Sequence, residues 1–184
     1  MVITKTSIYC AEDFYFSKEI SESDKIPPVI GCLISDKDGK SIISFEVFKG
    51  AIQYFMEHST ENYQEKKDFQ IDLIPMYVSA IELLSQELNI RGLPGIEING
   101  NNLKLKILFA FERFTVTLIL NPKVVFSTIE DLINNYLSNF FEEFEYELNN
   151  TKHVGSNEFI TFLERIGLCW LLDLNDDYLG LTQN

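Results

Sequence analysis

The tightest constraint in this sequence is the run from 71 to 121, where an apolar period of three to four residues gives way to a period of two. In IDLIPMYVSAIELLSQELN, the residues Ile74, Tyr77, Val78, Ile81, Leu84 and Leu88 recur at the spacing that places side chains on one face of a helix. Asp72 is a natural N-cap. Pro75, inside the first turn, gives up only an N–H that has no intrahelical partner, so the pattern predicts a helix starting near residue 72. Gly92, Pro94 and Gly95 then stop it. GIEINGNNLKLKILFAFERFTVTLILNP follows as three short strands. Leu103, Leu105, Ile107 and Phe109 alternate with Lys104, Lys106, Leu108 and Ala110, and Phe114, Val116, Leu118 and Leu120 alternate with Thr115, Thr117 and Ile119. Asn99, Gly100, Asn101 and Asn102 tolerate positive φ and supply one reversal; Glu112 and Arg113 supply the next. Such a sheet needs the helix to cover it, and nothing in the segment has the make-up of a reaction centre.

Upstream, PVIGCLISDKDGKSIISFEVF reads as a hairpin. Residues 29–35 are almost continuously apolar, as in a central strand covered on both faces, and Asp36-Lys37-Asp38-Gly39 is turn chemistry. The Asp36-x-Asp38-Gly39 fragment fails as a calcium loop, because Ser41 stands where the loop glycine belongs and Val47 where the bidentate Glu belongs. Residues 49–70 suggest a helical turn or two and then a polar surface excursion, with His58 solvated beside Glu57 and Glu61. Residues 1–28 read as a partly ordered arm, bounded by Pro27-Pro28.

Downstream, Ser127-Thr128-Ile129-Glu130 has the form of a capping box for a second long helix. Ile129, Leu132, Ile133, Tyr136, Leu137, Phe140, Phe141, Phe144 and Leu148 mark its apolar face, and Glu130, Asp131, Glu142, Glu143, Glu145 and Glu147 mark an acidic one. NEFITFLERIGLCWLLDL predicts a third helix, apolar around nearly its whole circumference, followed by an acidic tail. A helix of that kind must be buried on more than one side or must present a sticky surface to a second molecule.

The chain has 184 residues, 46% of them hydrophobic with 15 Phe and 8 Tyr, enough for one core. The expected organisation is a domain over 29–150, preceded by the 1–28 arm and followed by the extra helix and tail of 151–184. A net charge of −13 and a pI near 4.5 repel phosphate backbones and anionic lipid headgroups, which excludes nucleic acid and favours a basic protein surface as partner. Cys10, Cys32 and Cys169 are odd in number and unclustered with His58 or His153. That predicts reduced thiols in a cytoplasmic chain, with no zinc site and no cofactor. The N-terminus lacks the unbroken apolar core of a secretory signal, and no apolar run is long enough for direct membrane insertion. GxSxG, P-loop, GxGxxG and HExxH patterns are absent, so the chain reads as a non-enzyme with no catalytic residue.

The predicted order is β-β-α-β-β-β-α-α: an α+β fold with a five-stranded antiparallel sheet and helices on its faces. That order resembles the longin fold and its relative, the roadblock domain, in GCLISDKDGKSIISFEV, DLIPMYVSAIELLSQELN and LKLKILFAFERFTVTLIL. The resemblance implies a scaffold or adaptor that binds or regulates a small GTPase, or that joins a homologous subunit as a homo- or heterodimer in a vesicle-trafficking complex. Strand addition and helix packing are the expected modes. The candidate partner interface is Tyr77, Ile81 and Leu84 on the first helix with Phe162, Ile166 and Trp170 on the last. The alternative is a small-molecule sensor of PAS- or profilin-like build, with a Phe-lined pocket.

Overall fold

The computed structural model describes residues 27–58, 71, 73–90, 92–109, 111, 113–150 and 157–182. The N-terminal arm, the 59–70 excursion, the Asp72 cap and the His58 side chain lie outside the described residues. The chain falls into two compact units, Val29–Pro122 and a helical unit that takes in the residues from Lys123 onward.

The first unit is an α+β sheet structure. Strands β1 (Val29–Asp36) and β2 (Ser41–Glu46) form the expected hairpin. Helices α1 (Ala51–His58) and α2 (Leu73–Glu87) follow, and then the meander of β3 (Gly95–Asn99), β4 (Lys104–Leu108) and β5 (Phe114–Leu120). All neighbours pair antiparallel in the order β2-β1-β5-β4-β3. The almost continuously apolar β1 is interior and pairs with β5, every residue of which is buried whichever way it points, Thr115 and Thr117 included. β3 is an edge strand, and its Glu97 carboxylate reaches Lys104 and Lys106 of β4 at 3.5 and 3.9 Å.

The hairpin turn is held by its own side chain. Asp36 Oδ1 accepts from the N–H groups of Asp38 (3.1 Å) and Lys40 (2.8 Å), while the Gly39 N–H donates to the Asp36 carbonyl. Helix α1 extends the helical turn expected after residue 49 to eight residues. Glu46 Oε2 accepts from the Ile52 N–H, which satisfies a donor at the start of α1. Ile52 packs on β1 at Gly31, where a Cβ would come within 2.8 Å of Ile52 Cδ1. Glycine at that point lets helix and strand approach.

Helix α2 ends before the glycines that the sequence suggests as its stop. Asn89 adopts φ +56°, its N–H donates to the Gln86 carbonyl, and the Ile90 N–H donates to the Ser85 carbonyl. These two bonds are a Schellman cap with Asn in the left-handed position, which a short polar side chain tolerates.

In the helical unit a 3-10 turn (Phe126–Thr128) leads into α3 (Glu130–Asn150), and α4 (Asn157–Thr182) returns antiparallel to it. Ser127 lies within the 3-10 turn rather than capping α3, and the first donors go to backbone carbonyls, Thr128 to Val125 and Ile129 to Phe126. Tyr136 stacks on Trp170 at 4.1 Å between ring centroids and 6° between planes. Phe144 meets Phe159 and Phe162 toward the other end. Instead of ending before an acidic tail, α4 carries Asp176 and Asp177 within its length, because Leu171, Leu174 and Tyr178 continue the apolar period with no proline to stop it.

Candidate functional site

The feature of the fold that asks for a function is the way α2 is turned. Its buried side consists of Ile74, Pro75, Val78, Ser79 and Ser85, so two of the most deeply placed residues are serines. Its outward side is apolar: Leu73, Met76, Tyr77, Leu83, Leu84 and Leu88 are all exposed, Tyr77 by 67% and Leu84 by 57%. Ile90, just past the cap, continues the stripe. Of the helical positions on this side only Glu87 is charged.

The cause lies in what the β1–β2 turn presents to the helix. Gly39 adopts φ +81° directly under α2, and a Cβ there would sit 2.9 Å from both Met76 Cα and the Pro75 carbonyl oxygen. At so close an approach the side chain that faces the turn must be small, and it is Ser79. Ser79 Oγ donates to the Lys37 carbonyl at 2.7 Å, and Ser85 Oγ donates back to the Glu82 carbonyl. Glu82 carries the main polar tie. Its Oε1 accepts from Lys37 Nζ at 2.9 Å and its Oε2 from Thr115 Oγ1 of β5 at 3.3 Å. Lys37 Nζ also stands 5.7 Å from the centre of the Phe109 ring, where the ring face attracts a cation.

This partly buried network fixes the rotation of α2. Turning the helix to bury Tyr77 and Leu84 would pull Glu82 and Ser79 from their partners and take the carboxylate from the half-buried Lys37, an arrangement costing on the order of 1–3 kcal/mol per stranded group. The apolar stripe is thus held outward by polar contacts on the opposite side of the helix.

The candidate interface residues divide between the two units. Tyr77 and Leu84 lie on the stripe, and Ile81 is half-buried at its margin. On α4, Phe162 is exposed at the rim of the aromatic cluster and Ile166 is half-buried, whereas Trp170 is only 8% exposed with its ring on Tyr136. Periodicity did not single out Leu73, Met76 or Leu83. Ser79, Glu82 and Ser85 recur at three-residue steps along the other side of α2. That polar row reads as a solvated face until Lys37 and Thr115 are placed beneath it.

Two titratable groups are displaced by their surroundings. Burial pushes the Cys32 thiol far above its ordinary value, which makes it an inert core residue. Asp173 on α4 is raised by desolvation and then by Asp177 and Asp176 one helical turn away. Among the described residues, no group of His, Cys, Asp and Glu is placed to hold a metal ion, and no helix is long and apolar enough to cross a membrane.

The chain matches no protein-family model and no curated protein. A functional reading therefore rests on the geometry of α2 and on the order of the elements.

Proposed function

We propose that this chain is a non-enzymatic protein-interaction module of longin or roadblock type that docks a folded partner on the outward face of α2. The partner is a small GTPase or a homologous subunit, and the setting is a trafficking-type adaptor complex. The observation that carries the reading is the apolar stripe from Leu73 to Leu88, held away from the sheet by the Lys37–Glu82–Thr115 contacts. With fractional exposures of 36% to 67%, the stripe and Ile90 offer on the order of 700 Å2 of apolar surface, taking ~180 Å2 for one large side chain. Contiguous patches above ~300–600 Å2 are uncommon on monomers and mark interaction sites. The edge strand β3 gives a second element for association by strand addition.

The test is binding between purified components. Parent protein and the Leu84→Asp variant are titrated against small GTPases in GDP- and GTP-analogue-loaded forms, and self-association of each is measured in parallel. The reading expects at least one association of the parent to weaken about tenfold or more in the variant, as loss of a central apolar anchor does. A parent that binds nothing, or a folded Leu84→Asp that binds everything equally well, would overturn it.

A further inference from the structure

The end of α3 carries a side chain that neither the fold nor the docking face uses. Tyr146 is 76% exposed, more than any other large apolar side chain among the described residues, and it stands one turn before the end of the helix at Asn150. Its charged neighbours are all acidic. Positions 142–147 read Glu-Glu-Phe-Glu-Tyr-Glu, and no Lys or Arg occurs from 125 to 151. We propose that Tyr146 is a phosphorylation site for a tyrosine kinase with a basic substrate groove, and that the phosphate loosens the end of α3 from α4.

Kinases choose substrates by charge pattern, and access and charge together single this residue out. Tyr54 and Tyr77 are exposed but have no carboxylate within two residues, and Tyr178 follows Asp176 and Asp177 but is half-buried. Tyr136 is half-buried in its stack on Trp170. Tyr146 alone among these is both open and flanked by carboxylates. Its place near a helix end also matters, because terminal turns open locally at little cost and a kinase needs the segment extended. In the transfer, the phenolic oxygen attacks the γ-phosphorus of a nucleoside triphosphate. The bond from that phosphorus to the β,γ-bridging oxygen breaks, the nucleoside diphosphate leaves, and the phenolic proton passes to the kinase's base.

The product is poorly placed for the helix. Glu142 and Glu143 precede Tyr146 by four and three positions, so they lie beside it on the surface, and both are exposed. The last turn of α3 has no basic residue. A phosphate of about −1.5 to −2 charge there meets like charges and the negative end of the helix dipole. On the opposite side of the same turns, Phe144 and Leu148 are buried, and the Phe144 ring lies 6.3 Å from both Phe159 and Phe162 of α4. Fraying of these turns therefore releases the aromatic contact between the two helices.

The experiment treats the full chain with magnesium, ATP and a tyrosine kinase proven on poly(Glu,Tyr), and locates the phosphate by fragment mass spectrometry. Tyr146 should carry it. Tyr146→Phe, which keeps an exposed ring and the parent's melting curve, should lose the label at this position, and replacing Glu142, Glu143, Glu145 and Glu147 together by Gln should slow incorporation about tenfold or more. Hydrogen exchange should then rise about tenfold at amides 147–150 of the modified chain and rise as well over 159–163, with the strands unchanged. In 1 M salt that difference should shrink, because exposed like charges are screened, whereas a steric effect of the phosphate would persist. A folded chain left unlabelled at Tyr146, or labelled on Tyr178 in its place, overturns the site. Equal rates for the parent and the Gln variant overturn selection by charge, and a phosphorylated chain that exchanges like the parent overturns the loosening of α3.

Discussion

Replacing Gly39 with alanine tests how closely the β1–β2 turn approaches α2, and Gly50 supplies an internal control. The two glycines have nearly the same backbone, φ +81° and +82°, so an added methyl meets the same left-handed penalty at both, about 1–2 kcal/mol, partly offset by reduced freedom in the unfolded chain. Their surroundings differ. A Cβ at Gly50 meets nothing within 4 Å, whereas one at Gly39 meets Met76 Cα and the Pro75 carbonyl oxygen at 2.9 Å and Ser79 Cβ at 3.1 Å. Two of these are helix backbone atoms that cannot swing aside, so turn and helix must part. Parting strains the Ser79–Lys37 hydrogen bond and adds an overpacking cost of about 1–3 kcal/mol. Gly50→Ala is expected to lose about 1 kcal/mol or less and Gly39→Ala about 2–4 kcal/mol. Urea unfolding followed by far-ultraviolet circular dichroism measures both, with equal slopes verifying a common unfolding reaction. Equal losses for the two variants would refute the close approach and, with it, the reason given for the rotation of α2.

Other expectations follow from the same contacts. Gly95→Ala should destabilise the sheet edge strongly, because its Cβ would collide with the Ile107 carbonyl oxygen across the β3–β4 pair; amide hydrogen exchange on β3 and β4 would register the loss. Trp170→Ala should cost about 3–5 kcal/mol and Trp170→Phe clearly less, since the phenyl ring keeps part of the stack on Tyr136; circular dichroism is the readout, as Trp170 is the one tryptophan in the chain. Asp173 has a raised pKa in the folded chain, so its ionised form opposes folding above that pKa, and the opposition fades as pH falls and both states protonate. Asp173→Asn should therefore raise the melting temperature at pH 7, and the gain should vanish below the unfolded value of 3.8. The Cys32 thiol should resist a thiol reagent at pH 8 until the protein is unfolded, while the half-buried Cys169 has no such protection from depth.

Much of the fold is legible in the sequence, and each part is legible for a reason. The almost unbroken apolar run of β1 marks an interior strand, Asp36-Lys37-Asp38-Gly39 specifies the turn, and the alternation of 103–120 specifies the meander. Boundaries set by local backbone geometry were harder to read. The stop of α2 at Asn89 depends on a left-handed φ that glycines three and six residues later were better suited to signal. The continuation of α4 through Asp176 and Asp177 overrides a charge pattern that reads as a tail. The rotation of α2 was out of reach for a different reason. Ile74, Tyr77, Val78 and Leu84 form one periodic set, but the structure divides it, burying Ile74 and Val78 and exposing Tyr77 and Leu84. What divides it is the pairing of Glu82 with Lys37, 45 positions away, and with Thr115, 33 positions away. No local pattern encodes those distances.

The outward setting of the α2 stripe is tested most directly by the unfolding free energy of Leu84→Gln beside Val78→Ala, both measured on dilute protein so that association does not contribute. Glutamine keeps helix propensity and changes only the worth of burying position 84. The account predicts that Leu84→Gln stays within about 0.5 kcal/mol of the parent, as a surface substitution does, and that Val78→Ala, at a position 3% exposed, loses about 2 kcal/mol. A Leu84→Gln variant as unstable as Val78→Ala would mean that the stripe is covered by the chain itself, and the docking face would not exist.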